Sequence, residues 1–204
     1  REKGGLVGLL SAEDSRSRIN IGTARSPFVC SFFLFFRRAA IDHPAFDHFW
    51  SSYRYSNSKY KTIRRGERGL TYALRSAGVE CRSVMNRVSF DDWLESLGLP
   101  QIEKALAFLV THAESVRIQL ELLRARPVHD AEWLDDARAL LFTATDGQNY
   151  PSLLPYVFFS GVGCGYFKKA QDPINADAIR IVLAQADIEE SIFKQELSQR
   201  VNGV

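Results

Sequence analysis

One carboxylate stands among arginines in the stretch TIRRGERGLTYALRSAGVE, residues 62–80. Glu67 has Arg64, Arg65 and Arg68 as its nearest charged neighbours along the chain. A general base must be an accessible carboxylate, and neighbouring cations favour the ionised form of a carboxyl group. An ordinary charged helix start contains the same residue types. The segment therefore allows two interpretations of Glu67, a catalytic base and a solvated helix terminus.

The residues after Glu67 predict the element that holds it. Apolar side chains at spacings of three and four predict a helix over 62–76 with one packing face: Leu70, Ala73, Leu74 and Ala77. Gly78 follows at the position of a C-terminal cap, and a short strand is predicted over 79–84. In this interpretation Glu67 lies near the N-terminal end of its helix.

The preceding residues predict an α/β arrangement. A strand is expected at 6–11, followed by a polar loop and a buried central strand over 28–36. A helix over 44–53 should bury an aromatic stripe made of Phe46, Phe49, Trp50 and Tyr53. We therefore assign residues 1–88 to a first, α/β domain.

The pattern becomes helical after Ser89, which is predicted to cap a short helix ending near 97. A single heptad-patterned helix is expected over 101–125, with this seam: Ile102, Leu106, Leu109, Ala113, Val116, Leu120 and Leu123. Its first candidate partner is a helix over 130–142, which would form an intramolecular hairpin, and a dimer seam is the alternative. Two short helices are expected between 176 and 201. Residues 89–204 therefore form a second, mainly helical region.

The composition is that of an ordinary globular protein. The chain has 204 residues, 46% of them hydrophobic, and a net charge of +2, which offers no global electrostatic case for nucleic acid. The basic residues concentrate in the first seventy positions, where they could face a phosphate-bearing ligand or an anionic lipid. The apolar run 27–36 is half the length of a membrane-spanning helix. The chain begins with Arg1 rather than Met, and a strand pattern follows almost immediately. We therefore expect further sequence upstream.

Several familiar sites lack support. Three cysteines without a CxxC spacing argue against a disulfide framework or a zinc site and favour a reduced compartment. The four histidines have no metal-binding spacing, and no G-x-S-x-G elbow is present. The glycine-rich segment 160–169, SGVGCGYFKK, lacks the Walker spacing. It is either a flexible turn or a turn that carries a lysine to a diphosphate.

Five segments taken in order resemble the rhamnan synthesis protein F family, bacterial polysaccharide glycosyltransferases with a GT-A type fold. They are GLLSAED, SFFLFF, PAFDHFW, GERGLTYALRSAG and NYPSLLPYVFFSGVGCGYFKKAQDP, and they span 8–84 and 149–173. Two departures are Cys30, where a polar residue is usual, and Tyr150, which separates the usual Asn–Pro pair. The nucleotide-binding first half of a GT-A domain, with its acidic metal motif, is not in this sequence.

The resemblance implies a partial GT-A-like mixed sheet with flanking helices, followed by a mainly helical C-terminal region. It implies transfer of a sugar, rhamnose or another deoxyhexose, from a nucleotide sugar to a surface-polysaccharide or lipid-linked acceptor. The implied roles are as follows: Glu67 as the base, Lys168 and Asn149 at the donor, and Ser31 and Arg65 at the acceptor. A divalent Mg or Mn ion would have most of its ligands outside this sequence.

The resemblance also implies a cytoplasmic protein, with a peripheral position at the inner face of the plasma membrane as an alternative. We expect no nucleic-acid partner, and a homodimer through the helical region is a further expectation. The rival functional class is a non-catalytic helical scaffold or carbohydrate-binding module of a polysaccharide assembly system. The heptad pattern at 101–125 and the missing donor half favour that rival.

Overall fold

The chain is mixed α/β and mostly helical. The computed structural model describes residues 5–12, 28–29, 34–162 and 173–185, with the backbone alone at 7–12, 28, 29, 159 and 185. The residues form two compact units, Arg1–Ser89 and Phe90–Val204. Within the described ranges, none of the helices combines the length and the apolar character needed to cross a bilayer.

The first unit contains a small mixed sheet arranged around β1 (Gly5–Ala12). β1 pairs antiparallel with β2 (Phe28–Val29) and β3 (Leu34–Phe36) and parallel with β4 (Glu80–Met85). Leu6 has Phe36 opposite it on one side and Cys81 on the other, so β1 is the middle strand. The strands predicted at 6–11 and 79–84 are confirmed.

The segment 28–36 differs from its prediction as a buried central strand. Its described ends, β2 and β3, pair with β1 rather than occupying the centre of the sheet. Leu34 and Phe36 are half-buried, whereas Phe35 is 58% exposed. Successive side chains of a strand point to opposite faces, so Phe35 points away from the core against which Leu34 and Phe36 pack.

Two helices follow β3 and close over the sheet. α1 (Arg38–Ile41) leads directly to α2 (Pro44–Ser52), where the Nδ1 atom of His43 accepts a hydrogen bond from the backbone N–H of Ala45. Proline in the first helical turn suits this start, because its missing N–H would have no partner there. Phe49 is buried in the core, but Trp50 is 45% exposed, so the predicted aromatic stripe lies partly at the surface.

One continuous helical run carries Glu67. It consists of α3 (Lys59–Thr62), a π-helical segment (Ile63–Arg68) and α4 (Gly69–Ser76). The Ser58 hydroxyl caps its start by accepting from the N–H of Lys61 at 3.5 Å. The prediction that Glu67 lies at a helix start is therefore wrong, because the run begins eight residues earlier at Lys59.

The predicted cap at the other end of this run is confirmed. Gly78 adopts a φ of +79°, the left-handed conformation that residues with a Cβ avoid. Its N–H donates to the carbonyl of Arg75, and the N–H of Val79 donates to the carbonyl of Leu74, both at 2.9 Å. This pair of bonds is a Schellman motif, and it directs the chain from α4 into β4.

Replacing Gly78 by alanine should destabilise the first unit by about 1–2 kcal/mol, the cost of a left-handed residue that carries a Cβ. Among the described residues, no atom outside Gly78 and its two chain neighbours lies within 4 Å of the position of an added Cβ, so the effect arises from the backbone alone. Urea unfolding followed by far-ultraviolet circular dichroism measures it, with the exposed Ser76→Ala as the neutral control. An unchanged unfolding midpoint for Gly78→Ala would contradict the assignment.

The described part of the second unit is helical. α5 (Arg87–Ser96) begins two residues before the predicted cap, because the Asn86 side chain accepts from the N–H of Ser89 at 2.9 Å. Ser89 returns the bond by accepting from the N–H of Asn86 at 2.8 Å, as in a capping box. The remaining helices are α6 (Leu99–Ala107), α7 (Glu114–Arg124), α8 (Ala131–Thr145), α9 (Tyr150–Leu153), a π-helical turn (Val157–Gly161) and α10 (Pro173–Gln185).

The predicted single helix over 101–125 is wrong, since α6 and α7 are separated by 108–113. Three consecutive residues, Phe108, Leu109 and Val110, are all buried, which one face of a helix cannot achieve. The N–H of Val110 donates to the carbonyl of Leu153 at 2.8 Å, which draws the backbone out of the helical path. The seam residues are nevertheless buried, with the exception of Ala113.

α7 and α8 pack against each other within the chain, as the hairpin interpretation predicted. Trp133 is 1% exposed, and its Nε1–H donates to the carbonyl of Leu123 near the end of α7 at 3.0 Å. The His129 ring stacks on the Trp133 indole with centroids 4.0 Å apart. Trp133 therefore joins the two helices at the turn between them. A homodimer through this region stays a prediction.

The start of α8 supplies a test of this turn. The Asp130 carboxylate accepts from the N–H of Trp133 at 2.9 Å. Asp130→Ala should cost about 1 kcal/mol in the free energy of unfolding, because the N–H group loses its cap. Asp130→Asn keeps a capping oxygen without the charge and should retain most of that stability, as urea unfolding would show. Equal losses in both variants would mean that charge rather than capping is responsible.

Candidate functional site

The π-helical segment is the most unusual backbone near a predicted site residue. π-Helical turns are rare and recur at functional sites. This one contains Glu67 and its three neighbouring arginines. Glu67, Arg64 and Arg68 are half-buried, while Arg65 is exposed. The segment therefore presents a carboxylate and several guanidinium groups within two helical turns at the edge of the first unit.

α4, which continues this segment, packs against the sheet and so fixes the segment in place. Leu70 and Leu74 are buried in a core that also contains Leu6 and Phe49. The Thr71 hydroxyl, on the same buried side, donates to the carbonyl of Glu67 at 2.9 Å. The backbone of Glu67 is thus linked to a residue that packs in the core.

Two glycines let α2 approach the helical run closely. A Cβ on Gly69 would lie 3.3 Å from Cε2 of Phe49, and a Cβ on Gly66 would lie 3.4 Å from the Tyr53 hydroxyl. The aromatic side chains therefore occupy the space that larger residues would fill. Tyr53 consequently lies against the residue immediately before Glu67.

Aromatic rings continue from Tyr53 to the surface. The Trp50 and Tyr53 centroids are 5.7 Å apart, and those of Tyr53 and Tyr55 are 5.2 Å apart. Tyr55 is 88% exposed. We call Trp50, Tyr53 and Tyr55 the aromatic platform. Exposed aromatic rings can pack against the C–H face of a sugar ring while their polar atoms remain hydrated.

The loop that carries Tyr55 is fastened to the helical run. The Arg65 guanidinium donates to the carbonyl of Arg54 at 3.5 Å. The Thr62 hydroxyl lies 3.0 Å from the carbonyl oxygen of Ser56. Arg65 was predicted to contact an acceptor, and the structure places it beneath the platform loop. That contact with an acceptor stays a prediction.

For the other predicted site residues, a position beside this segment stays a prediction. Ser31 and Lys168 lie outside the described residues. Asn149 belongs to the second unit, where its amide donates to the Ser152 hydroxyl at 2.8 Å. That hydroxyl donates in turn to the side-chain oxygen of the buried Asn175, also at 2.8 Å. Of the five residues, Glu67 and Arg65 lie together on the π-helical segment of the first unit.

The described residues offer little support for metal binding or for thiol chemistry. Over these ranges, no three side chains of His, Cys, Asp or Glu are close enough to hold a metal ion. The prediction of a divalent metal stays a prediction. Cys81 has a free, buried thiol whose pKa is raised by burial, with the Arg75 charge opposing that rise. A raised pKa lowers the thiolate fraction at neutral pH, so Cys81 serves the core rather than nucleophilic chemistry.

A groove in the second unit is a separate feature. It has a volume of about 360 Å³ and lies between α7 and α8, with Leu122, Leu123 and Leu140 among its lining residues. Asp136, on the same wall, is paired to Arg126 at 2.6 Å. The groove thus offers an apolar surface with its nearest carboxylate already neutralised by an ion pair.

No protein-family model, curated protein or solved structure matches this chain. The family resemblance therefore depends on the sequence motifs alone, and the assignment of function depends on the chemistry of the site. The sequence interpretation missed Tyr55, although a signal was present. YRYSNSKYK, residues 53–61, alternates aromatic and basic residues without an acid.

The glycine contacts can be tested with two substitutions. Gly69→Val should destabilise the first unit by about 2 kcal/mol, because its side chain would displace Phe49. Gly66→Ala adds a methyl group at ordinary contact distance from Tyr53, so stability should stay the same or rise by up to about 1 kcal/mol. Thermal unfolding of both variants provides the comparison. If Gly69→Val is as stable as Gly66→Ala, α2 does not depend on this close approach.

Proposed function

We propose that the first unit holds the acceptor in a glycosyltransferase reaction, with Glu67 as the general base. The observation that supports this proposal is the position of the aromatic platform beside the segment that carries Glu67. The Tyr53 hydroxyl lies 3.4 Å from the position that a Cβ on Gly66 would occupy, and Gly66 immediately precedes Glu67. A sugar stacked on the platform would have its hydroxyl groups directed towards the edge of the π-helical segment.

The reaction is a direct displacement at the anomeric carbon of a nucleotide sugar. An acceptor hydroxyl forms a bond to that carbon as the bond to the nucleoside diphosphate breaks. Glu67 accepts the hydroxyl proton as the new bond forms. This transfer avoids a strongly acidic oxonium on the attacking oxygen. The departing diphosphate carries the electron pair, and cations must stabilise its charge.

The arginines around Glu67 fit a phosphate-bearing donor. Planar guanidinium groups match the geometry of phosphate oxygens and stay charged at all physiological pH values. Arg64 and Arg68 are half-buried, so their positions are restrained before a ligand arrives. The resemblance assigns further donor contacts to Lys168 and to a divalent metal, which fall outside the described residues.

Glu67→Gln provides the direct test. It keeps the shape of the side chain and removes the base, so the transfer rate should fall by about 10²–10⁴-fold. Nucleotide release from a panel of nucleotide sugars, measured with and without glycan acceptors, reports that rate. Glu121→Gln, an exposed position on α7, is the matched control and should leave the rate unchanged. Wild-type transfer by Glu67→Gln would refute the role of the base.

A second function, a non-catalytic carbohydrate-binding module, is favoured by the same platform, because stacking on aromatic rings needs no base. The two functions predict different responses to mutation. Tyr55→Ala should weaken glycan binding in both cases, as glycan-array or calorimetric titration would show. A module would bind glycan equally well with Glu67→Gln and release no nucleotide from any sugar in the panel.

A further inference from the structure

The segment 50–65, WSSYRYSNSKYKTIRR, has an unusual balance of residue types. It contains five cationic residues, four aromatic residues and no acid: Arg54, Lys59, Lys61, Arg64 and Arg65, with Trp50, Tyr53, Tyr55 and Tyr60. The whole chain has a net charge of only +2. The positive charge is therefore concentrated locally rather than spread over the molecule.

Most of these side chains are at the surface. Tyr55 is 88% exposed and Tyr60 is 57% exposed. Both lysines are exposed as well. We call Trp50, Tyr55, Tyr60, Lys59 and Lys61 the basic–aromatic surface. Exposed aromatic side chains beside exposed lysines mark an interaction surface rather than a core.

Hydrogen bonds from two side chains, Thr62 and Arg65, keep the parts of this surface in one place. The Thr62 hydroxyl lies 3.0 Å from the carbonyl of Ser56 and 3.1 Å from that of Ser58. Arg65 reaches the carbonyl of Arg54 at 3.5 Å. The loop that contains Tyr55 is thereby held against the first turns of the helical run that contain the lysines.

The lysines stand where they oppose helix stability. Lys59 and Lys61 occupy the first turn of the run, near the positive end of the helix dipole, where acidic residues stabilise and cations do not. No acidic residue is present in that turn. The helix dipole therefore gives no reason for two lysines at these positions.

We propose that the basic–aromatic surface binds the headgroup region of a bilayer that contains anionic lipids. Tyrosine and tryptophan are enriched at this depth because one end of the ring is apolar and the other is polar. Lysine stems lie along apolar surface while their ammonium groups reach anionic phosphates. This inference does not depend on the proposed function, although a lipid-linked acceptor would be brought to the same face.

A bilayer fits the geometry better than single-stranded nucleic acid does. Nucleic-acid bases stack on open ring faces. The planes of Tyr53 and Tyr55 are 87° apart, and those of Trp50 and Tyr53 are 63° apart, so the edge of one ring meets the face of the next. Such a cluster offers bulk and hydroxyl groups to a headgroup layer and lacks parallel ring faces for successive bases, although one exposed face can still pack against a single sugar ring.

Co-sedimentation with vesicles tests the proposal in the intact chain. We expect binding to phosphatidylcholine vesicles containing about one third phosphatidylglycerol, and little binding to pure phosphatidylcholine. Binding should weaken as NaCl is raised to about 1 M, where the Debye length falls to about 3 Å. Equal binding to neutral and anionic vesicles, or no binding to either, would overturn the proposal.

The residues can be separated with variants. Lys59→Gln/Lys61→Gln should weaken vesicle binding roughly 30-fold, from the attraction lost at two lysines. Tyr55→Ala should weaken it roughly five-fold, from the partial burial of one ring. Lys104→Gln/Arg117→Gln removes two exposed cations from the second unit and should leave binding unchanged. Equal losses in both double variants would indicate non-specific attraction and refute the assignment of this surface.

Tryptophan fluorescence gives an independent readout. Of the three tryptophans, Trp50 is 45% exposed, Trp93 is half-buried and Trp133 is 1% exposed, so anionic vesicles should shift the emission of Trp50 to shorter wavelength. Trp50→Phe should abolish that shift.

Two competition arms, soluble glycerophosphate and a single-stranded oligonucleotide, identify the ligand class. Displacement from vesicles by glycerophosphate would indicate a phosphate pocket, and tighter binding of the oligonucleotide would indicate nucleic acid; either result would overturn a bilayer surface.

Discussion

The first unit depends on the pairing of β1 with a strand on each side. Leu6 faces Phe36 in the antiparallel pair and Cys81 in the parallel pair, and its side chain is 1% exposed. The parallel pairing with β4 requires the chain to leave the sheet and return in the same direction. Every described helix of the unit before β4 lies on that path. The aromatic platform, the π-helical segment and the basic–aromatic surface all lie between β3 and β4 in the chain. The pairing of β1 with these two strands therefore holds all three in place.

The path explains why polar and aromatic residues can share one edge. α2 brings its aromatic rings to the helical run at two glycines, and the loop between them has no regular structure of its own. Hydrogen bonds from Thr62 and Arg65 to loop carbonyls replace the missing secondary structure. Such a loop can present side chains for binding while the rigid elements around it supply the stability.

Local signals in the sequence predicted the elements well. Gly78 indicated a helix cap, and the spacing of Trp133, Ala137 and Leu140 indicated a buried face, because both features depend on a few neighbouring residues. The failures arose from other causes. Cations in the first turn concealed the helix start at Lys59, where acidic residues are the usual signal. Long-range contact of Val110 with the Leu153 carbonyl interrupted a heptad pattern that looked continuous.

The candidate site was predicted in part for the same reason. Glu67 and Arg65 are two residues apart, so their proximity follows from the sequence alone. The contribution of Tyr55 could not be derived from periodicity, because it lies in a loop and reaches the site through its contact with Tyr53. The contacts between α2 and the helical run depend on the positions of Gly66 and Gly69. The packing role of these glycines becomes visible only in three dimensions.

The turn at Gly78 has a consequence for the order of events during folding. α4, its Schellman motif and β4 are adjacent in sequence and share a further bond from Arg75 to the Cys81 carbonyl, so they can form early from local contacts. β1 must then find β4 across all of residues 13–79, which requires closure of a long loop and is intrinsically slow. We therefore expect an α4–β4 hairpin to act as a template on which β1 docks last.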